Sequence, residues 1–365
     1  MTMEMRFLGS SGVRVSAFAL GTMGFGGDPD RPLVGSAGLD DATRQVDLAL
    51  EAGINLFDTA DVYSGGRSEE LLGAALGRRR DDVLICTKVH ARSGAGPNDV
   101  GQSRWHIMRS CEASLRRLGT DHIDVYHVHG FDACTPQEEV LTSLDRLVSA
   151  GKVRYIACSN HAAWQLVAAH GVSTARNLER YVAIQAYYSL VARELEWDIL
   201  PACRHTGTGV VVWSPLAGGL LSGKFDRDTP AADGTRRGMV GDLGVGSPDH
   251  EQAWKILDVC RDIASARGAS VAQVALNWLR TRPEVSSIIV GARTDAQLLD
   301  NLAAATWELT AEESAMLDAV SDRPLPYPHW FQRQFTAERF TREGAPATAY
   351  DYGRAVAGAR TNGEN

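Results

Sequence analysis

Short apolar runs alternate with longer amphipathic segments along most of the chain. The apolar runs predict strands at 17–20, 54–58, 83–88, 123–129, 153–158, 181–186, 209–213 and 287–290. The amphipathic segments predict helices near 40–52, 68–77, 102–118, 136–150, 162–170, 194–206, 251–282 and 294–305, the seventh of them broken at Gly268. This alternation is typical of repeated βα units around a parallel sheet.

Eight such strands and eight helices predict an α/β fold, a (β/α)8 TIM barrel. The segments MRFLG and VRVS precede the first barrel strand and predict an N-terminal β-hairpin. The competing fold is a doubly wound open sheet, which carries its nucleotide site in the first βα turn. That turn reads LGTMGFGG here, without GxGxxG spacing and without an immediate helix, so the pattern favours the barrel.

The order of elements predicts one barrel domain over residues 1–340 and a tail over 341–365. The tail is small, polar and rich in Gly and Ala, so we expect it to be loosely held. The irregular segment 214–249 is long enough to predict a lid or binding loop. Ser68, followed by Glu69 and Glu70, predicts the N-cap and acidic first turn of the second helix.

Composition and charge exclude several classes of protein. A chain of 365 residues with 44% hydrophobic and 22% charged residues has ample material for a large core. A net charge of −8 argues against binding to nucleic acid, which requires a concentrated basic face. The sequence shows neither a membrane-spanning apolar stretch nor a signal core, and its six cysteines lack metal-site spacing. We therefore expect a cytoplasmic protein without membrane partners or a metal, and the oligomeric state stays open.

Polar side chains recur at the predicted carboxyl ends of five successive strands. They are Asp58 with Tyr63 in the following loop, Lys88, His129, Ser159 with Asn160, and Gln185. One such residue is more easily explained as an ordinary turn former. Because barrel enzymes build their active sites at this face, five in succession indicate an active site.

The types of these side chains suit a tuned proton donor. A free tyrosine has a pKa of about 10, so a tyrosine that acts as an acid at neutral pH requires a nearby cation that favours the phenolate. Lys88 can supply that charge, Asp58 can hold Lys88 by an ion pair, and His129 can orient a carbonyl oxygen. Such a set protonates the alkoxide that forms when hydride attacks a carbonyl.

Seven stretches around these residues resemble the aldo-keto reductase family. They are RFLGSSGVRVSAFALGTMGFGG, INLFDTADVYSGGRSEELLGAAL, ICTKV, IDVYHVH, SNHAAWQL, VVWSPLAGGLLSGKF and IIVGARTDAQLLDNLAA, within residues 5–335. The resemblance is closest to the branch with aryl-alcohol dehydrogenase-like reductases and potassium-channel β-subunits. It implies an NADP(H)-dependent oxidoreductase that interconverts an aldehyde or ketone and an alcohol by direct hydride transfer, in a barrel without a Rossmann domain.

The same resemblance implies the catalytic residues. It carries the family's tetrad onto Asp58, Tyr63, Lys88 and His129, with Tyr63 as the general acid/base. His127 has the strand parity of His129, and both could face inward. The family spacing of three residues from a strand tyrosine, here Tyr126, selects His129.

The resemblance also implies a set of cofactor-binding residues. They are Gly21, Thr22, Met23, Asp58, Ser159, Asn160, Gln185, Trp213, Ser214, Pro215, Leu216, Gly218, Leu221, Lys224, Gly291, Arg293, Gln297, Asp300 and Asn301. Within this set, Ser159, Asn160 and Gln185 would hold the nicotinamide carboxamide, and a ring stacked under the nicotinamide would come from Trp213, Tyr187 or Tyr188. Arg293 would pair with the 2′-phosphate and favour NADPH, assisted by Arg236 or Arg237.

Two alternatives and the substrate remain open at this point. Lys88 could form a Schiff base as in aldolases, since a desolvated lysine can be a nucleophile. The chain could also be an NADP(H)-binding redox sensor or regulatory subunit with slow turnover. The substrate is a small carbonyl compound or alcohol of unknown identity, and the candidates for its pocket wall are Phe25, Trp105, Phe131, Tyr327 and Trp330.

Overall fold

The computed structural model describes residues 3–27, 35–225, 227 and 250–335. The strands are β1 Met5–Phe7, β2 Arg14–Ser16, β3 Phe18–Gly21, β4 Leu56–Asp58, β5 Leu84–Val89, β6 Ile123–Val128, β7 Val153–Ser159, β8 Ala183–Tyr187, β9 Gly209–Trp213 and β10 Val285–Val290. The helices are α1 Leu39–Glu51, α2 Arg67–Leu76, α3 Arg104–Leu118, α4 Gln137–Ser149, α5 Ala163–Arg176, α6 Ile199–Thr206, α7 His250–Arg267, α8 Val271–Arg280, α9 Asp295–Ala303, α10 Ala311–Val320 and α11 His329–Phe335. Among the described helices, none is both long enough and apolar enough to cross a membrane.

Strands β3 to β10 form a closed parallel barrel in the order β10-β3-β4-β5-β6-β7-β8-β9. The barrel closes between its last and first strands, where Ile288 pairs with Phe18 and Val290 with Leu20. Each of the eight barrel strands overlaps one of the predicted apolar runs, so the predicted (β/α)8 fold is confirmed.

Strand parity divides the buried side chains into two layers. Inward-facing apolar side chains, one from each of the eight strands, form a cluster in the barrel interior that includes Leu56, Cys86, Val125, Ala157 and Ala183. Their strand neighbours point outward and pack under the helices in a second, larger cluster. Because side chains alternate along a strand, residues two or four positions after an interior residue also face the barrel axis, nearer its carboxyl end.

The N-terminal hairpin closes the amino-terminal end of the barrel, as predicted. β1 and β2 pair antiparallel from Met5↔Ser16 to Phe7↔Arg14. Leu8 in the hairpin loop joins the interior cluster and is only 1% exposed. The Arg6 guanidinium fastens the hairpin to the barrel, since it donates to the backbone oxygens of Arg280 and Val285 at 2.7 Å each.

Helix boundaries differ from the sequence prediction in three places. α5 continues to Arg176, past the predicted end at 170, and ends at Asn177 in a left-handed conformation. The predicted helix over 194–206 divides into a short 3-10 turn at Glu194–Glu196 and α6. Two helices near the carboxyl end, α10 and α11, were not predicted. The break at Gly268 is confirmed, because α7 ends before it and α8 begins after it.

The predicted N-cap of the second helix is wrong. α2 begins at Arg67 after a left-handed Gly66, and Ser68 is its second residue. The Ser68 hydroxyl is buried and donates to the backbone oxygen of Thr22 at 2.7 Å. Its role is to join α2 to the loop after β3 rather than to cap the helix.

Two predicted features lie outside the described residues. Most of the predicted lid, including Arg236 and Arg237, falls within 228–249, and the predicted tail falls within 336–365. The part of the lid segment up to Phe225 is described and contributes to the site below.

Candidate active site

The inward layer of the barrel brings the predicted strand-end residues to one mouth. Asp58 lies two positions after the interior residue Leu56, and Lys88 two positions after Cys86. His127 and His129 follow Val125 with the same parity. Since all these strands are parallel, the side chains meet at the carboxyl end of the barrel.

A buried ion pair joins the first two of these residues. Lys88 Nζ donates to Asp58 Oδ2 at 2.8 Å and to the backbone oxygen of Thr59 at 2.6 Å. The other carboxylate oxygen of Asp58 accepts from Gln185 Nε2 at 2.8 Å. Lys88 has no exposed surface and Asp58 is 3% exposed, so the predicted ion pair is present and is shielded from solvent.

The charge state of Lys88 follows from this pairing. Burial lowers the pKa of its ammonium, but the attraction of Asp58 and Tyr63 together raises that pKa above its usual value. Lys88 is therefore a cation at neutral pH. A Schiff base requires the neutral amine, so the structure argues against the aldolase alternative.

Tyr63 lies over this ion pair. It follows a tight turn in which its backbone N–H donates to Ala60 O at 3.1 Å. Lys88 Nζ lies 5.0 Å from the centroid of the Tyr63 ring. The ring of His129 approaches Tyr63 edge-on, with 6.0 Å between the centroids. The structure thus brings the predicted phenol, ammonium and imidazole together.

Two histidines share the inward face of β6 but differ in depth. His127 is fully buried, whereas His129 is partly exposed and lies beside Tyr63. Burial and the Lys88 cation lower the pKa of His127 to about 3, and burial, Lys88 and His127 lower that of His129 to about 2. Both imidazoles are neutral at neutral pH, and the position of His129 agrees with its selection over His127.

Polar side chains at the ends of β7 and β8 form hydrogen bonds between strand ends at the mouth of the barrel. The Ser159 hydroxyl is buried and donates to the backbone oxygen of Gln185 at 3.1 Å. Asn160, with a left-handed φ of 55°, donates from Nδ2 to the His129 backbone oxygen at 3.0 Å. Its side-chain oxygen accepts from Trp213 Nε1 at 3.1 Å. Asn160 therefore links the ends of β6 and β9.

An aromatic pair lines the next part of the mouth. Tyr187 and Trp213 stack with 5.0 Å between ring centroids and 30° between ring planes. Tyr188 has the opposite strand parity, is fully buried, and donates from its hydroxyl to Glu196 at 2.6 Å. Tyr188 is thereby removed from the candidates for a ring under the nicotinamide.

Lys224 in the segment after β9 and Arg293 just before α9 are two cations that lie near enough to interact electrostatically. The turn begins with Ser214 at a φ of 52°, whose hydroxyl accepts from the Gly218 N–H at 3.1 Å. Partial burial and the charge of Arg293 lower the pKa of Lys224. Because like charges repel, their convergence on a surface marks a place that favours an anion.

Comparison with known proteins agrees with this geometry. Residues 17–322 match the sequence model of the Aldo/keto reductase family. The chain belongs to the aldo/keto reductase family. It is 40% identical over 334 residues to an uncharacterized oxidoreductase, YrpG, of Bacillus subtilis. The matched region covers 88% of this chain and 97% of that protein.

Other relatives of this aldo/keto reductase have diverse names. It is 33% identical to versiconal hemiacetal acetate reductase of Aspergillus parasiticus, over 87% of this chain and 96% of that protein. It is 35% identical to a probable voltage-gated potassium channel subunit beta of Oryza sativa, over 83% of this chain and 91% of that protein. The family reduces carbonyl compounds with a nicotinamide cofactor, and the chain is an oxidoreductase of this type.

Several residues predicted from the family pattern have side chains that bond within the protein. Thr22 and Leu221 are fully buried, and the Thr22 hydroxyl contacts Ser68 at 2.8 Å. Asp300 accepts from Ser270 and Gln273 and so joins α9 to α8. Asn301 is 6% exposed. Thr22 and Leu221 therefore present no exposed surface to a cofactor.

Most of the remaining predicted cofactor residues lie nearer the surface. Gly21 ends β3, Met23 and Leu216 are half-buried in the loops after β3 and β9, and Pro215 is buried beside Leu216. At the start of α9, Gly291, Arg293 and Gln297 are exposed, and Gln297 Oε1 accepts from the Arg293 N–H at 3.1 Å.

The residues predicted for the pocket wall lie in different surroundings. Phe25 is 1% exposed and belongs to the outer core, so its assignment to the wall is wrong. Phe131 is half-buried and contacts the rings of His161 and Trp164. Trp164 is 65% exposed and was not predicted, because its link to Phe131 joins two loops that are distant in sequence.

The sequence reasoning also missed a charged cluster behind the site. Glu69 in α2 is fully buried, accepts from Arg117 Nε at 2.6 Å and accepts from the Thr87 hydroxyl at 2.5 Å. Asp61, in the loop after β4, is 4% exposed and lies beside this cluster. In the sequence, Glu69 has the position of an ordinary acidic residue in the first turn of a helix, so no local signal indicates its burial.

Proposed function

We propose that the protein is an NADPH-dependent reductase of aldehydes or ketones, also able to run in reverse, with Tyr63 as the general acid/base. The observation that carries this proposal is the position of the Lys88 ammonium. It is held by Asp58 at 2.8 Å and lies 5.0 Å from the Tyr63 ring. A fixed cation beside a phenol favours the phenolate that remains after proton donation.

Each tetrad residue then has a defined task. Tyr63 donates its phenolic proton to the oxygen of the carbonyl as negative charge develops there. Lys88 stabilises the phenolate that results, and Asp58 keeps Lys88 in place. His129 is a neutral imidazole beside Tyr63 and can donate one hydrogen bond to the same carbonyl oxygen.

The charged groups after β9 and at α9 suit an anionic nicotinamide cofactor. Lys224 and Arg293 lie close enough for the arginine to lower the lysine pKa. A phosphate between them would relieve this repulsion, and the exposed amino-terminal end of α9 favours the same charge. When bound, the cofactor supplies the hydride. The 2′-phosphate of NADPH is the group that we assign to Arg293.

A second candidate function is that of an NADP(H)-binding redox sensor or regulatory subunit with slow turnover. The similarity to proteins named as potassium channel β-subunits favours it. The assembled tetrad favours catalysis instead, because a protein that only binds the cofactor does not require a cation fixed beside Tyr63.

A screen of NADPH consumption against a diverse set of aldehydes and ketones tests the proposal, with NADH as the control cofactor. We expect turnover with at least one carbonyl class and a clear preference for NADPH. Tight NADPH binding without turnover across the set would support the sensor function. Equal rates with NADH would contradict the role assigned to Arg293.

A further inference from the structure

Asp61 is a buried carboxyl group in the loop after β4. It is 4% exposed, and neither of its side-chain oxygens forms a hydrogen bond to any described residue. The Val62 backbone N–H interacts with it only weakly, outside hydrogen-bond geometry. Its own backbone N–H approaches the Lys88 backbone oxygen at 3.4 Å. Asp61 therefore lies against the strand that carries Lys88.

The charges around Asp61 are already paired with one another. Lys88 on β5 bonds to Asp58, and Arg117 on α3 bonds to Glu69 on α2. Three carboxyl groups thus face two cations, and each cation is bonded to a carboxylate other than Asp61. A further titratable neighbour is Tyr126 on β6, whose buried hydroxyl also lacks a hydrogen-bond partner among the described residues.

This arrangement favours the protonated form of Asp61. An ionised carboxylate that is buried without a partner is costly, and the group usually takes up a proton instead. Burial, followed by the negative charge of Glu69, raises the pKa of Asp61 to about 8, although Arg117 and Lys88 oppose the shift.

We propose that Asp61 is a positioning residue that remains protonated at neutral pH, so that the charge of Lys88 acts on Asp58 and Tyr63. Ionisation of Asp61 at alkaline pH then weakens carbonyl reduction. Ionised Asp61 would place a second carboxylate beside Lys88. The cation would then stabilise the Tyr63 phenolate less, which makes Tyr63 a weaker acid. The effect on catalysis rests on the proposed function, whereas the protonation of Asp61 does not.

Protonation of Asp61 has a consequence for stability that does not depend on activity. The folded-state pKa lies above the unfolded value, so the native protein holds a proton that the unfolded chain has released. The stability from this proton is fully present below about pH 4 and is lost as the pH rises to about 8. Asp61→Asn has no such loss, because the amide does not ionise.

Thermal unfolding of the full chain across this pH range tests the protonation. The quantity to follow is the Tm of Asp61→Asn minus the Tm of the wild type. We expect this difference to rise steadily from about pH 5 to about pH 8 and then to level off. The control is Asp81→Asn, which changes an exposed aspartate and should give a difference that does not vary with pH. A difference for Asp61→Asn that is constant with pH would overturn the proposal.

The pH dependence of kcat/KM for carbonyl reduction tests the effect on Tyr63. We expect the ratio of wild type to Asp61→Asn to be constant below about pH 7 and to fall on the order of tenfold through about pH 8. A ratio that is constant up to pH ~9 would overturn the catalytic half of the proposal. If the wild type shows no carbonyl reduction, the proposed function fails, and the unfolding measurement still decides whether Asp61 is protonated.

Discussion

At the residue scale, the site depends on one buried charge pair. Lys88 has no exposed surface, and its ammonium is held by Asp58 and by the backbone oxygen of Thr59. The sequence predicted this pair because both residues end neighbouring strands. It could not predict that Asp61 is buried, since Asp61 lies beside Glu69 on α2, Arg117 on α3 and Lys88 on β5, which come together only in the folded chain.

Lys88→Met should lower both stability and activity. The substitution leaves Asp58 buried without its cation, which costs about 3–5 kcal/mol of unfolding free energy. Denaturant unfolding measures this change, and the NADPH-consumption assay measures the loss of reduction. The matched control is Lys152→Met, which removes a half-exposed lysine paired with Glu112 and should cost less than about 1 kcal/mol. A Lys88→Met protein as stable and as active as the wild type would refute the role of the pair.

At the element scale, strand parity determines which residues reach the mouth. The pattern of alternating side chains correctly placed Asp58, Lys88 and His129 on one inward face. It also excludes Tyr188 as the ring under the nicotinamide and keeps Tyr187 as a candidate for that ring. The sequence predicted contacts with the helices less well. Thr22 and Asp300 bond to α2 and α8 respectively, and such contacts between elements have no local sequence signal.

The junction between the segment after β9 and α9 should select the cofactor. We expect Arg293→Met to raise the KM for NADPH by about 10- to 100-fold and to change the KM for NADH little, since the lost contact is charge-assisted and specific to the 2′-phosphate. Steady-state kinetics with both cofactors provide the measurement. Arg227→Met is the control, because that exposed arginine pairs with Asp258. Equal increases for both cofactors would contradict the assignment.

At the scale of the whole molecule, a closed barrel separates the site from the hairpin that seals the opposite end. The eight strands and their order were predictable, because each strand is a short apolar run and a parallel barrel requires a helix between successive strands. The way in which Leu8 enters the barrel was not predictable, since its position depends on closure of the whole sheet.

Leu8→Ala should destabilise the barrel without altering catalysis. Leu8 is 1% exposed inside the barrel, so its truncation leaves a cavity and costs about 2–5 kcal/mol. Denaturant unfolding measures the loss, and KM values measured below the unfolding range should match those of the wild type. The neighbouring Phe7 is 61% exposed, and Phe7→Ala should change the unfolding free energy by about 0.5 kcal/mol or less. Equal effects of the two substitutions would show that the hairpin does not seal the barrel.

In the proposed reaction, Tyr63 delivers the proton while hydride passes directly from NADPH to the carbonyl carbon. The most direct test supplies NADPH deuterated at the transferable position and measures deuterium in the alcohol product by mass spectrometry. Tyr155→Phe is the control, since it removes a hydroxyl near the amino-terminal end of β7. We predict one deuterium per product molecule for the wild type and the control, and a product yield at least about 100-fold lower for Tyr63→Phe with NADPH binding retained. A Tyr63→Phe protein that forms labelled product at the wild-type rate would contradict the claim.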